Sequence, residues 1–483
     1  MTAFNLQTLA RPNILALEPY VCARDSYKVG VLLDANENTH GPSLASIDEE
    51  ELKQELNRYP DPHQIHVKQL LCNFRNSERN AENATLPEIT PENICFGVGS
   101  DESIDAIIRI FCVPSKDKLL ICPPTYGMYT VSAQVNDIEV VKVPLEFNKG
   151  NFQIQPDLIN EKLSEDASIK VVYICSPGNP TGTLIEKARI EKILNHPTWN
   201  GIVVVDEAYI DFAEPGSSFA PLVTKYPNLA VMQTISKSFG LAGARLGCVI
   251  ADKPVSRLLN NLKAPYNIST PTSVLAERAL SPEGINVMKS LVKKIIDERE
   301  RLVEELPKVH KGIGKFVSGL DSNFVLVEIL DQEGQPSSPK AIELYKYLAE
   351  KKQVVVRYRG NEPGCPGCLR ISIGTREEND RLLSEMRVWF NTLFYAVDPT
   401  PDLDAYEQQL FTLLNKELDP EVLNVKDVSG GCGSMFAINI VSEKFNGLSL
   451  IKQQRLVNEV LKDEISKWHG LQLRTKALEK YNK

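Results

Sequence analysis

Seven short apolar runs, most of them rich in β-branched residues, follow one another between about residue 90 and residue 250: "ENICFGV", "KLLICPP", "IEVVKVPL", "IKVVYICSP", "GIVVVDEAY", "AVMQTIS" and "RLGCVIA". Runs of this length without polar alternation read as strands covered on both faces. Between several of them stand amphipathic stretches of helical period, such as "SDESIDAIIRIF" and "EKARIEKILNH". The alternation predicts an α/β fold, a large mainly parallel sheet with helices on both faces. It also predicts where a ligand sits, because ligands in such sheets collect beyond the carboxyl ends of the strands. The polar clusters of this chain fall there.

The whole chain, at 483 residues, suits two or three domains. A long helix is expected from about Pro282 to Leu306, then "SNFVLVEI", "VVVRYR" and "CLRISIG" as strands of a smaller α+β portion. The pattern weakens near residue 396, where "VDPTPDLDA" sets Pro399 and Pro401 among acids and reads as a linker. About 80 residues follow with an order of their own: helix, strand, glycine turn ("SGGCG"), strand ("MFAINIVSE"), helix and final strand. No internal repeat makes this segment a copy of anything upstream.

A net charge of −9 argues against wholesale binding to nucleic acid or anionic membrane, which need a basic surface. The ten cysteines are scattered and several stand inside apolar runs, so no disulfide framework is expected and a reducing compartment follows. No apolar run approaches the roughly 20 residues that cross a bilayer. The first residues show neither a secretory core nor an organellar presequence. Cytoplasmic residence is the expectation.

Four stretches carry chemistry. "GVGSDES" follows a strand and opens a helix, so its amides are set to cradle a phosphate. "SPGNPTG" fixes Asn179 in a rigid turn, and "VVVDEAY" puts Asp206 at the end of a buried run, where a carboxylate wants a cation. "TISKSFGLAGARLG" holds Lys237 and Arg245 eight positions apart among small residues. Taken singly, each has a plain reading as a turn, a strand-end cap or a solvated charge. In this order and spacing they resemble the active site of the fold-type I pyridoxal-phosphate aminotransferases, class II branch. In that family one lysine joins the cofactor covalently and later moves the substrate proton. The resemblance implies that Lys237 is that lysine and that Asp206 keeps the pyridine nitrogen protonated. It further implies that Asn179 and Tyr209 hydrogen-bond the phenolic oxygen and that Tyr126 stacks on the ring. Ser100, Asp101, Ser236 and Arg245 are then the phosphate ligands, the first two through backbone amides.

Across about residues 10 to 390 the chain more narrowly resembles the histidinol-phosphate aminotransferase family, through "LDANENTHGPS", "NRYPDPHQ", "TISKSFGLAGARLG" and "VVVRYRG" followed by "GCLRISIGT". The resemblance implies amino transfer between glutamate and imidazole-acetol phosphate in L-histidine biosynthesis. One site must then accept carboxylate and phosphate alike, which suits planar guanidinium forks. Arg357 and Arg370 match the family's anion-binding pair. Tyr59 matches a tyrosine that reaches the neighbouring subunit's cofactor phosphate, implying a homodimer. Asn36, Glu37 and Asn38 fall in the stretch that closes over substrate, with Glu37 the candidate to meet an imidazole. The alternatives are another phosphate-handling enzyme of this fold (threonine-phosphate decarboxylase-like), an aromatic aminotransferase, or an idle scaffold carrying the C-terminal segment. "CPGC", Cys365 and Cys368, has the form of half a zinc site; with no second pair nearby it reads as two neighbouring core or loop thiols.

Residues of about 404 to 480 resemble the BolA family, in particular its BolA3-like branch. That likeness implies a small α/β fold working with a monothiol glutaredoxin in iron–sulfur handling. Cys432 and His469 match its ligand positions for a shared [2Fe–2S] cluster; the plain reading is a surface thiol and a helix-terminal histidine. A helix-turn-helix reading of "SLIKQQRLVNEVLKDEI" fails for want of a basic stripe. The expected division is residues 1–395 as aminotransferase, 396–404 as linker and 405–483 as BolA-like domain. Within the first, a large domain of about 40–300 is set against a small one from about 10–39 and 301–395. The joining of two unrelated activities reads either as a bifunctional chain or as two adjacent genes read as one.

Overall fold

All seven apolar runs become strands of one sheet in the computed structural model. It describes residues 3–22, 25–26, 34–147, 151–317, 319–395, 404–429 and 435–481, with 391–395 and 481 traced through their backbone alone. The strands are β1 (Ile94–Val98), β2 (Lys118–Ile121), β3 (Glu139–Lys142), β4 (Ile169–Cys175), β5 (Ile202–Asp206), β6 (Leu229–Thr234) and β7 (Leu246–Ala251). Their order is β1-β7-β6-β5-β4-β2-β3. The strands from β6 to β3 run parallel. β7 alone runs against both of its neighbours. The reason lies in the short connection 235–245, which has no room for the crossover helix that a parallel return requires. That same connection carries Lys237.

The continuous apolar character of the strands is explained by burial on both faces. In β5, Val203 and Val205 join one core, while Ile202 and Val204 join another on the opposite side. The alternation follows from the two-residue period of a strand. The helices Gly99–Phe111 and Lys187–Leu194 appear where the periodicity places them, and the long helix runs Pro282–Val309. A second sheet has the order β10-β11-β9-β8, from β8 (Ile313–Phe316), β9 (Phe324–Ile329), β10 (Arg357–Tyr358) and β11 (Cys368–Ser372). Sequence patterning missed β8, whose "IGKF" is too short and too polar to read as a strand, and it overestimated β10, of which only two residues pair.

The chain divides into two compact units. The first comprises Met1–Glu304, Gly314–Ala341 and Val356–Arg376; the second comprises Glu305–Ile313, Ile342–Val355 and Glu377–Lys483. The expected linker, 396–404, lies outside the described residues except for Asp404. Asp404 caps the helix Ala405–Leu418 in a capping box with Glu407. After that helix come β12 (Pro420–Asp427), β13 (Met435–Ser442), the helix Leu450–Val460 and β14 (Gly470–Ala477), in the expected order. β13 is central, antiparallel to β12 and parallel to β14. Leu410, Leu414 and Leu418 meet Phe436, Ile438 and Ile440 in one core. Spacings of four on the helix and two on the strand make those faces coincide. No described helix is long and apolar enough to cross a membrane.

Candidate functional site

Four connections at the carboxyl edge of the large sheet converge. The first leaves β1 at Gly99, whose φ of +74° favours glycine. A Cβ there would collide with Arg245 Nη2, and one at Gly247 would stand 2.6 Å from the Gly99 carbonyl carbon and 2.7 Å from the Ser100 nitrogen. The two glycines thus let the helix start pass close under Arg245. The Gly99 N–H donates to the Arg245 carbonyl at 3.1 Å. Ser100 and Asp101 occupy the first turn of the helix, where amides lack partners within the helix. The Asp101 carboxylate lies 3.7 Å from Arg245 Nη2 and accepts the Tyr126 hydroxyl at 3.1 Å.

The second connection follows β5. Asp206 is buried, its Oδ2 accepting the Tyr129 hydroxyl at 2.6 Å and its Oδ1 the Ala208 N–H at 3.2 Å. Burial holds this carboxyl above the usual carboxylate range, and the Tyr129 hydrogen bond pulls it partly back. Tyr129 is fully buried, stacked on Tyr173 at 4.7 Å and edge-on to Tyr126 at 5.7 Å.

The third connection carries Lys237. Its amine lies 5.7 Å from the centre of the Tyr209 ring. The residue opens to solvent on the cleft side, yet partial burial of its amine, first among the causes, depresses its pKa. Arg370 and Arg245 push in the same direction, and Asp206 and Asp101 oppose them. Ser236, next to it, accepts the Thr234 hydroxyl at 2.9 Å.

The fourth is the turn after β4. Asn179 is nearly buried and its Oδ1 accepts from Arg370 Nη1. The Arg370 guanidinium stands 5.2 Å over the Phe324 ring, which meets Tyr209 edge-on at 5.2 Å. Lys237, Tyr209, Phe324, Arg370 and Asn179 are therefore one contiguous set. Arg357 lies directly across from Arg370 in the β10–β11 register and is exposed.

Tyr59, Asn36 and Glu37 are held differently. The Glu37 carboxylate, almost fully buried, takes Arg58 Nη1 at 2.8 Å and the Tyr59 N–H at 2.7 Å. Asn36 has a positive φ, and the Asn38 carbonyl accepts from Asn57 Nδ2. The Tyr59 ring is half-exposed and stacks on Tyr266 at 4.6 Å. Cys365 and Cys368 are both fully buried, and their mutual contact together with burial drives the Cys368 thiol pKa up. Of the two residues matched to a cluster, Cys432 lies outside the described residues; His469 is exposed, just before β14.

Sequence reasoning missed what stands behind the lysine. Ser238 donates to Asp211 Oδ2, whose Oδ1 holds Arg75 Nη1 at 2.8 Å. Arg75 also grips Glu78 at 2.7 Å and Gln233 Oε1 at 2.7 Å. Gln233 in turn donates to Glu207 at 2.8 Å. Nothing in "LLCNFRNS" distinguishes Arg75 from a surface arginine. Tyr129 stands in the second position of the helix Met128–Val135, three residues beyond Tyr126, which precedes that helix.

Residues 28–386 match the family model described as aminotransferase class I and II. Over 387 residues the chain is 55% identical to the histidinol-phosphate aminotransferase of Schizosaccharomyces pombe, covering 80% of this chain and 97% of that protein. The chain belongs to the histidinol-phosphate aminotransferase family. Relatives of the same name in Candida maltosa and Saccharomyces cerevisiae are 52% and 49% identical, covering 81% and 79% of this chain and 99% and 96% of theirs. Histidinol-phosphate aminotransferase from Clostridium acetobutylicum superposes with a TM-score of 0.58 at 26% identity, over 71% of this chain and 93% of that one. That from Sinorhizobium meliloti, solved with pyridoxal 5'-phosphate, shares the fold with a TM-score of 0.60 at 22% identity, over 74% and 90%. Family membership makes this chain a pyridoxal-phosphate-dependent aminotransferase of the fold-type I architecture. Residues 414–480 match the BolA-like protein model, so this family member carries a C-terminal BolA-like domain.

Proposed function

We propose that residues 1–395 transfer an amino group between L-glutamate and imidazole-acetol phosphate, as histidinol-phosphate aminotransferase in L-histidine biosynthesis, with Lys237 as the proton carrier. The observation that carries this is the Lys237 amine itself, held below its ordinary pKa beside Arg370 at the carboxyl edge of the sheet. Pyridoxal phosphate, when bound, supplies an aldehyde for an amine and a ring that takes up the electron pair left on the substrate carbon.

The donor set fits that group. Asp206 is a buried carboxylate whose recorded hydrogen bonds come from neutral donors, so a protonated ring nitrogen would give it a paired cation. Asn179 spends its carbonyl oxygen on Arg370 and keeps both Nδ2 hydrogens for the phenolic oxygen, with the Tyr209 hydroxyl beside it. Tyr126 would cover the ring. The amides of Ser100 and Asp101, with Ser236 and Arg245, take the phosphate where the two glycines clear a cradle. Lys237, once neutral, would take the proton from the substrate carbon and hold it for return. Arg370 and Arg357 grip the substrate anion in forks, and Asn36 and Glu37 close the N-terminal side. The half-exposed Tyr59 ring is suited to reach a second subunit, so the working form is a homodimer with shared sites. Mixing the purified chain with glutamate and imidazole-acetol phosphate is expected to release 2-oxoglutarate and histidinol phosphate in equal amounts; no 2-oxoglutarate would overturn the reading.

Residues 405–483 form the second module, for which we propose a monothiol glutaredoxin partner and a shared [2Fe–2S] cluster with Cys432 and His469 as ligands. Anaerobic addition of the full chain to a cluster-loaded monothiol glutaredoxin is expected to change the cluster's visible circular dichroism. His469→Ala is expected to abolish that change, and a spectrum unmoved by the wild-type chain would sink the proposal. Thiols are free at nine described positions, which supports a reducing, cytoplasmic setting.

A further inference from the structure

Arg359 has no place in the site described so far. It follows the Arg357–Arg370 cross-strand pair by two residues, and its N–H donates to the Cys368 carbonyl at 2.8 Å. That bond carries the pairing one step beyond β10 and sets Arg359 opposite Cys368, two residues from Arg370 on β11, which places Arg357 and Arg359 on the side of Arg370. Three guanidiniums are gathered in one small patch. Among the described residues the carboxylate recorded against them is Glu362, 3.7 Å from Arg359 Nη1, too far for a sound hydrogen bond. The Nε atoms of both Arg359 and Arg370 are buried with no partner. Burial lowers the Arg370 pKa first and the nearby charge of Arg359 lowers it further; Tyr209 opposes them, and Arg357 adds a smaller push down. Clustered like charges with buried, unanswered donors oppose folding unless an anion completes them.

We infer that Arg359 is a third cation of the substrate's anion site, and that it selects a phosphate dianion over a carboxylate. The inference rests on the phosphate-bearing substrate proposed above. Two forks saturate a carboxylate, which has one charge and two oxygens. A phosphomonoester carries nearly two charges at neutral pH and three acceptor oxygens, so it has an oxygen and a charge left for a third guanidinium.

The test is Arg359→Gln in the full chain loaded with pyridoxal phosphate. KM for histidinol phosphate is expected to rise about tenfold while KM for glutamate stays within about threefold and kcat is retained. Inorganic phosphate, used as a competitor of histidinol phosphate, is expected to weaken by a similar factor. Arg359→Lys keeps the charge without the fork and should fall between. Unchanged constants overturn the inference. So does an equal rise in both KM values with a lowered Tm, which would assign Arg359 to holding the 360–367 loop. Glu362→Gln reproducing the effect overturns it for the same reason. Failure of the wild-type chain to turn over histidinol phosphate ends the substrate reading first and this inference with it. Turnover by the wild type with an indifferent Arg359→Gln ends this inference alone.

Discussion

Lys237→Ala is expected to lower kcat by roughly 10⁴-fold or more, with the fold and Tm unchanged. The two effects separate because of where the side chain stands. It opens to the cleft, so truncation leaves no internal cavity, yet it is the amine that both bonds the cofactor and carries the proton. Borohydride reduction of the wild type, followed by peptide mapping, should find the pyridoxyl group on Lys237. The groups that set its pKa give a signed corollary. Arg370 depresses it, so Arg370→Gln should move the pH dependence of cofactor capture by the apoprotein to higher pH; Asp206 raises it, so Asp206→Asn should move it lower. Shifts of the same sign in both variants would show that these charges do not act on Lys237. A Lys237→Ala protein that still transaminates would remove the lysine from the mechanism altogether.

The sheet was readable in the sequence because both faces of β4, β5 and β6 are buried. That forces unbroken apolar runs, and a succession of them between helical stretches reads as one covered sheet. The antiparallel entry of β7 was not readable, since strand direction depends on how much chain the preceding connection contains and "RLGCVIA" is equally apolar either way. Lys237, Asn179 and Tyr209 were legible through local motifs, each just beyond the end of a strand, whereas Arg370, inside β11, was reached by resemblance. Arg75, Asp211 and Arg359 were not legible, because each draws its meaning from a partner distant in sequence or on another strand. Glu37 was placed on the substrate side by resemblance alone, and its own anchoring was equally out of reach. Its carboxylate is taken by Arg58 and the Tyr59 amide, a pairing that no local pattern announces.

Removing Arg75 should have the largest effect on stability. Arg75→Met is expected to cost about 3–5 kcal/mol, measured by denaturant unfolding of the loaded protein. Burial by itself pulls the guanidinium's pKa down, and Asp211 and Glu78 more than reverse that, so the charge is held entirely by its partners. The side chains of Arg75 and Asp211 are 4% and 8% exposed, so water cannot take over when the guanidinium is gone. Methionine fills much of the volume but leaves the Asp211 carboxylate buried beside Ser238 with no cation, and leaves Gln233 Oε1 without its donor. Asp211→Asn should cost less, since a neutral amide can still accept from Ser238 and Arg75 keeps Glu78. The double variant should fall well short of the sum, because the second change relieves the charge stranded by the first. Since Ser238 is the neighbour of Lys237, kcat should fall in Arg75→Met even where the protein remains folded. A loss under about 1 kcal/mol, or strict additivity in the cycle, would mean that the network carries neither the stability nor the placement of the lysine assigned to it.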